Sequence, residues 1–324
     1  MPRRTVSALA ALSAIVTALV AAPNANADLV MYCVGTGGAV TVPSDLLVPS
    51  GESCSLEGTT VTGNVRVQAG ANLVISGGTI NGQVQVANNG YFDATNTRVD
   101  GEVVLAPGGF GSYLRKVRGA SVTLQPKGTA TVEGFLFVDD SVIDGNVTAG
   151  VGEVRLDKNT QVTGNVNSSG AYSTDVRDSF VDGTLSVLNN ANGSVVCGGS
   201  VAGKATFAGN QGGVQLGPNG ALDSCASGGY FGRDVSISNT NGKSSVDDTI
   251  INGQLQLNGN NPATAVAANN RIRGGVVGQT GAAAAASKAA RAQAAAPRVN
   301  TGEQKSADRR AAATQAAIEA GQAF

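Results

Sequence analysis

The feature that most constrains this chain is a seven-residue phrase that recurs at a fixed distance. It reads VTGNVRV at residues 61–67, INGQVQV at 80–86 and VDGEVVL at 99–105, so that its glycines are nineteen residues apart each time. An internal repeat of this length is typical of a solenoid, in which each repeat packs mainly against its neighbours. The period therefore has to be explained before any single residue is interpreted.

The phrase itself alternates apolar and polar residues, which is the pattern of a β-strand with one buried face. Its glycine stands where a side chain would crowd either a bend or a neighbouring backbone. If the repeats stack, equivalent apolar residues must lie one above another. We therefore expect Val61, Ile80 and Val99 to form one column inside the molecule.

The same phase continues along the chain, because further glycines follow an apolar residue by two places. They are Gly119, Gly145, Gly164, Gly183, Gly203, Gly253 and Gly274, with a weaker copy around Gly232. A fixed period with variable insertions favours a solenoid over a meander of hairpins. No six-residue period is sustained, so we predict an all-β fold, a single-stranded right-handed parallel β-helix. About ten or eleven coils of roughly nineteen residues would fill residues 59–278.

Asparagine provides a second register in the same coils. Five asparagines each lie seven residues after the glycine of their coil: Asn89, Asn190, Asn210, Asn239 and Asn260. Stacked asparagines can bond through their side-chain amides, which predicts an amide ladder along the rod. The alternative is that asparagine is simply common in turns, where it tolerates a left-handed backbone.

The first 27 residues are predicted to be a signal peptide. Two arginines precede an apolar run over residues 6–22, and small residues mark a cleavage site after Ala27. The run is short for a membrane-spanning helix, and the residues after it are polar. We therefore predict export, a mature chain that starts at Asp28, and a secreted or cell-surface location without a membrane span.

The two regions that flank the coils differ from them in character. Residues 28–58 are expected to form an N-terminal cap and the first coil. Residues 279–324 are rich in alanine, which favours helix. They show no wide apolar stripe, so we predict a mobile tail, disordered or partly helical, that packs only weakly.

Four cysteines, Cys33, Cys54, Cys197 and Cys225, indicate two disulfides in an exported chain. Three pairings are possible, and we favour the two local ones, Cys33–Cys54 and Cys197–Cys225. A metal site is the rival interpretation. It is disfavoured because the chain has no Cys-x-x-Cys motif and no histidine, and no cofactor is predicted.

Two runs resemble a group of uncharacterised secreted bacterial proteins that are frequent in actinobacteria. The runs are VPSGESCSLEGTTVTGNV at 48–65 and INGQLQLNGNNP at 251–262, the second followed by NNRIRG at 269–274. The resemblance covers most of residues 45–280 and implies a right-handed β-helix and export, without a known activity. That group often has cysteines late in the final coils, where this chain has Leu257 and Thr280. By coil length alone, the chain is loosely similar to bactofilins.

Carboxylates are the first candidates for chemistry, since β-helical hydrolases use clustered aspartates on neighbouring coils. Asp139, Asp140 and Asp144 are the candidates here. Each lies near a coil corner, where aspartate commonly bonds its own backbone, so a structural role is the favoured interpretation. The basic run of Arg115, Lys116 and Arg118 is a lyase-like candidate, and for it too a solvated surface is favoured.

Aromatic residues are few, so their clustering is informative. Tyr91 and Phe110 both lie nine residues after their glycine and are expected to stack on adjacent coils, with Tyr113 nearby. An exposed aromatic ladder would be a candidate platform for stacking sugars. A half-buried ladder, or one that lies under the insertion at residues 107–116, is the favoured alternative.

Charge and motifs narrow the function class. The net charge is −1 and the coils show no basic stripe, so nucleic acid is disfavoured as a partner. We expect an exported, non-catalytic β-helical structural or surface-interaction protein of the bacterial envelope or extracellular space. The alternative is a β-helix that binds or cleaves polysaccharide. Envelope polysaccharide or another protein is the expected partner class, and the oligomeric state is left open.

Overall fold

The computed structural model describes residues 29–129, 133–282 and 301–324. Through the first two ranges the chain winds as a parallel β-helix, with up to three strands in each coil. Each strand pairs in parallel with the equivalent strand of the next coil, so the strands form three long sheets. The predicted signal peptide lies outside the described residues, as do residues 283–300 of the predicted tail.

Sheets A and B each contain thirteen strands. Sheet A consists of β1 (Val30–Tyr32), β4 (Asp45–Val48), β7 (Val65–Val67), β10 (Val84–Val86), β13 (Val103–Leu105), β16 (Val122–Leu124), β19 (Val147–Ala149), β22 (Val166–Ser169), β25 (Leu185–Leu188), β28 (Ala205–Ala208), β31 (Val235–Ser238), β34 (Leu255–Asn258) and β37 (Val276–Gly278). Sheet B consists of β2 (Gly35–Gly37), β5 (Ser53–Glu57), β8 (Asn72–Ser76), β11 (Tyr91–Thr95), β14 (Gly111–Arg115), β17 (Phe135–Asp139), β20 (Glu153–Asp157), β23 (Ser173–Arg177), β26 (Ser194–Cys197), β29 (Val214–Leu216), β32 (Ser245–Val246), β35 (Thr264–Val266) and β38 (Thr280–Gly281).

Sheet C contains twelve shorter strands, each of two residues. They are β3 (Thr41–Val42), β6 (Thr60–Val61), β9 (Thr79–Ile80), β12 (Arg98–Val99), β15 (Arg118–Gly119), β18 (Val142–Ile143), β21 (Gln161–Val162), β24 (Phe180–Val181), β27 (Ser200–Val201), β30 (Tyr230–Phe231), β33 (Ile250–Ile251) and β36 (Arg271–Ile272). The chain passes from sheet A to sheet B to sheet C and then climbs to the next coil.

The predicted apolar column is confirmed. Val61 pairs with Ile80, and Ile80 pairs with Val99, in consecutive strands of sheet C. All three side chains are buried, with at most 1% of their surface exposed. Because side chains alternate between the two faces of a strand, every coil adds valine, isoleucine or leucine to one continuous core. The central claim of the sequence, a stacked parallel solenoid, therefore holds.

The repeated glycine is required where sheet C turns into sheet A. The amide of Gly82 donates to the carbonyl oxygen of Gly63 at 3.1 Å. A Cβ on Gly82 would overlap that carbonyl, and a Cβ on Gly101 would overlap the backbone of Gly82. The corner thus stacks backbone directly on backbone, which leaves no room for a side chain.

The predicted number of coils is confirmed, whereas two glycine phases differ from the prediction. Sheet A has thirteen strands, of which eleven, β7 to β37, lie in residues 59–278, where ten or eleven coils were predicted. Residues 28–58 contribute the other two levels, one more than the predicted first coil. Gly119 pairs with Val99 and so takes an apolar position rather than the corner. At the weak copy, Ala205 pairs with Val235, so Arg233 and not Gly232 corresponds to Gly203.

The asparagine register holds for Asn190, Asn210 and Asn260, but Asn239 lies one place out of it and the predicted bonding is wrong. Asn210 accepts from the backbone amide of Asn190 at 2.9 Å and donates to the Val187 carbonyl at 3.1 Å. Asn210 and Asn260 therefore satisfy the backbone of the preceding coil rather than each other's amides. Asn89 and Asn239 instead hold left-handed corners, with φ of 52° and 49°.

Both favoured disulfides are confirmed. Cys33 bonds to Cys54 across a sequence separation of 21, and Cys197 bonds to Cys225 across 28. The first bond joins the two lowest coils. The second ties the long insertion after β29 back to sheet B. Each crosslink limits the freedom of the unfolded chain around a segment that lacks the regular repeat.

The alanine-rich region contains a helix, α1 (Thr301–Ala320), as the prediction of a partly helical tail allowed. This helix is packed on sheet B, whereas the sequence predicted a mobile tail. None of the described helices is long and apolar enough to span a membrane.

The corner glycines provide a direct test of the stacking. Replacing Gly101 by alanine should destabilise the protein by about 1–3 kcal/mol, because the new methyl group meets backbone that cannot move aside. Gly38→Ala is the matched control, since a Cβ there would meet open space. Guanidinium denaturation should show a lower midpoint for Gly101→Ala alone, and equal midpoints would contradict the close approach.

Candidate functional site

The most chemically varied surface of the solenoid is the outward face of sheet B over β11, β14, β17 and β20. Parallel register places Asp93 beside Tyr113, Tyr113 beside Phe137, and Phe137 beside Arg155. Side chains alternate between the two faces along each strand, and the residues next to these four in their strands point inward. The four residues therefore face away from the valine-rich core. One column of the sheet therefore combines a carboxylate, two rings and a guanidinium.

The aromatic residues of this face form one cluster. The rings of Tyr91 and Phe110 are in contact as predicted, but they meet edge to face at 5.8 Å, and Tyr91 pairs with Gly111 rather than with Phe110. The ring of Phe135 lies 5.6 Å from Phe110 and is stacked at 4.7 Å on Phe137. A Cβ at Gly111 would overlap the ring of Phe135, so this glycine makes room for the cluster.

Helix α1 covers this surface. Gly302 lies against Phe137, and Gly321, just after the helix, bonds to Thr36 in β2. Twenty helical residues extend about 30 Å. Six strand spacings, from β2 to β20, make about 29 Å. The helix therefore runs along the stack of strands from one end of the aromatic face to the bottom of sheet B.

The packing face of α1 is made of small residues at helical spacing. Gly302, Ser306, Ala313 and Ala317 recur every four or seven positions and are buried. Gly302 and Ser306 lie against the rings of Phe137 and Tyr91, while the small residues also let α1 pack closely on β2, β5 and β8. Ser306 also bonds to the Tyr91 hydroxyl at 2.9 Å.

A buried ion cluster lies at the centre of the covered face. Asp93 is 0% exposed and accepts from Arg115 at 2.6 Å and from Arg310 of α1 at 2.7 Å. The Tyr91 hydroxyl donates to its second oxygen. Burial raises the pKa of Asp93, while Arg115 and the Tyr91 hydrogen bond oppose that rise. Removing one partner would leave a buried charge less compensated, which makes the cluster a specific anchor for α1.

A second ion cluster is centred on Asp139 and Arg155, two and three coils above Asp93. Asp139 accepts from the Tyr113 hydroxyl at 2.7 Å and from Lys158 at 2.8 Å. Arg155 lies over the Phe137 ring and donates to Glu303 of α1 at 3.0 Å. Burial, reinforced by the hydrogen bond to Asp139, raises the pKa of Tyr113 to about 12.

Arg309 provides a third contact between α1 and the sheet. Its guanidinium lies 4.9 Å from the Phe110 ring centre and donates to Asn72 at 2.6 Å. It also donates to the carbonyl oxygens of Gly70 and Asn89. Burial lowers the pKa of this arginine. The outer face of sheet B thus binds the guanidinium groups of α1 at several points, through carboxylate, amide and carbonyl oxygens together with an aromatic ring.

The candidate carboxylates do not converge. Asp139 is buried under the edge of α1, whereas Asp140 occupies a left-handed corner with φ of 49°. Asp144 lies at the other end of β18, where Arg118 pairs with it at 2.9 Å. The basic run is divided too, because Arg115 faces α1 and Lys116 holds a corner with φ of 52°.

The candidate sugar platform is covered. Tyr91 is 0% exposed and Tyr113 is 5% exposed, and Phe110 packs against the same cluster. The cover is α1 rather than the insertion at residues 107–116. Among the described residues, no group of three histidine, cysteine or acidic side chains is placed to hold a metal ion.

Several residues of the site were not singled out from the sequence. They are Asp93, Arg155, Glu303, Ser306, Arg309 and Arg310. A usable signal was present, since glycine, serine and alanine recur on one side of α1 with two adjacent arginines beside them. This pattern can be interpreted as a packing face only when the aromatic face of sheet B, against which α1 packs, is known.

Comparison with known proteins identifies no relative: no protein-family model, curated protein or solved structure matches the chain.

The anchoring role of Arg310 is testable. Arg310→Met should speed amide exchange throughout α1 by about 10- to 100-fold, as expected for loss of a charged hydrogen bond. Lys305→Met removes the same charge from an exposed position of the helix and is the matched control. Equal exchange rates in the two variants would show that the Asp93 contact does not hold the helix.

The buried phenols predict a distinct alkaline titration. Tyr113 has its pKa raised to about 12, and burial raises that of Tyr91 further. Unfolded tyrosine titrates near 10, so these groups stabilise the fold below about pH 10, and that contribution is lost as the pH rises through the folded values. Absorbance at 295 nm should show delayed ionisation of both phenols in folded protein and none of this delay in guanidinium. Coincident titration of all tyrosines near pH 10 in folded protein would contradict their burial.

Proposed function

We propose that the chain is an exported, non-catalytic β-helical protein that acts as a structural or surface-interaction rod outside the bacterial cell. The observation that supports this proposal is that each of its candidate catalytic carboxylates already has a structural role. Asp139 is held by Tyr113 and Lys158, and Asp144 by Arg118, while Asp140 forms a corner. A glycosidase would need two carboxyl groups facing each other across a substrate.

Export is supported by two kinds of observation. The N-terminal segment has the composition of a signal peptide, and both disulfides join cysteines that are close in the folded coils. Disulfides of this structural kind persist mainly in oxidising compartments. We also propose that the coils of the β-helix are right-handed.

Polysaccharide binding is the second candidate, and the five-ring cluster favours it. Rings on successive coils repeat about every 4.8 Å, which is a regular surface for stacking. The cluster is closed by α1, however, and Asp93 beneath the helix has two guanidinium partners. A neutral sugar would remove the Arg310 partner without replacing its charge, so this candidate requires a ligand that leaves α1 in place.

A release assay on the mature chain separates these functions. Purified protein from Asp28 onward should liberate no reducing ends from acidic or neutral envelope glycans, because Asp139, Asp140 and Asp144 do not converge on one site. Asp139→Asn and Asp144→Asn are the comparison variants. Turnover by the native chain that either variant abolishes would overturn the non-catalytic proposal, whereas retained glycan without turnover would favour the binding alternative.

A further inference from the structure

The bottom edge of sheet B is occupied by the chain's own residues 321–323. The amide of Thr36 in β2 donates to the Gly321 carbonyl at 2.7 Å, and Ala323 donates to the Thr36 carbonyl at 2.9 Å. Thr36 and Gln322 form a parallel bridge. Both backbone groups at the centre of β2 are therefore satisfied by a segment from the far end of the sequence.

The fit of this segment requires glycine on both sides of Thr36. Gly35 has φ of +107°, and a Cβ there would overlap the Gly321 carbonyl. At Gly37 a Cβ would lie 2.9 Å from the ring of Phe324. Ala323 packs against the main core of the solenoid. Residues 321–324, which we name the edge cap, thus pack closely against β2 and the bottom of the core.

An uncovered sheet edge is a template for another strand, and the two ends of this solenoid match in direction. Every strand pairing is parallel, so β38 at the top of sheet B runs in the same sense as β2 at the bottom. Large apolar side chains are exposed at both ends. They include Leu29 (81%) and Tyr32 (64%) at the bottom, and Val277 (53%) at the top.

We propose that the edge cap is detachable and that it excludes a second copy of this chain, which would otherwise stack its last coil on β2. Stacking of top on bottom is a heterologous contact that does not close, so it would generate an open series of oligomers. The same stacking would bury apolar side chains exposed at the two ends. This inference concerns the ends of the rod and stands independently of the proposed function.

Two variants remove the cap by different routes. Gly35→Ala places a methyl group against Gly321, and Ala323→Pro deletes the amide that donates to Thr36. Gly51→Ala is the control, because Gly51 also has a positive φ, of +78°, but its Cβ would meet open space. Amide exchange at Thr36 reports release of the cap, and sedimentation velocity over a range of concentrations reports association.

At a concentration where they are monomeric, both cap variants should exchange the Thr36 amide about 10-fold faster or more, as expected for loss of a backbone hydrogen bond. They should also form species that grow beyond dimers as concentration rises, while Gly51→Ala remains like the native chain. Release of the cap with only monomers, or with dimers alone, would overturn the proposal. Equal association of Gly51→Ala, or continued protection of Thr36 in both cap variants while they are monomeric, would also overturn it.

Discussion

The structure depends on one constraint, the parallel backbone ladder that sets each coil directly above the previous one. With about 4.8 Å between strands, equivalent residues of every coil meet the same surroundings. Valine, isoleucine and leucine therefore repeat in the core, and Val61 lies beside Ile80 for the same reason that Ile80 lies beside Val99. The corner glycines follow as well, because their Cα atoms face the backbone of the coil below.

Sheet B departs from this uniformity on its outer face. Over β11 to β20 that face carries rings and buried charges instead of solvated polar groups, and α1 completes its burial. The contacts are specific in geometry, since Asp93 and Asp139 each engage several donors from different coils. The same helix positions the edge cap on β2. Residues 301–324 therefore cover both the aromatic face and the bottom edge of sheet B.

Much of the fold was readable from the sequence because the repeat is enforced coil by coil. The strand class, the Val61 column and both disulfide pairs followed from period, alternation and proximity. The phase slipped where another residue takes the corner, as Ala120 does opposite Gly145. Residues 28–58 form two levels where one coil was predicted, because they lack the phrase. The docking of α1 was missed because its packing face is small rather than apolar, and small residues become informative only against known rings.

The central claim is that the chain's own helix closes the aromatic face of a stacked solenoid. Nuclear Overhauser contacts between the Tyr91 ring and Ser306, and between the Phe137 ring and Gly302, measure it most directly. The account predicts both sets of contacts alongside those of the Val61, Ile80 and Val99 column. Intact contacts in that column, with none between either ring and α1, would contradict it.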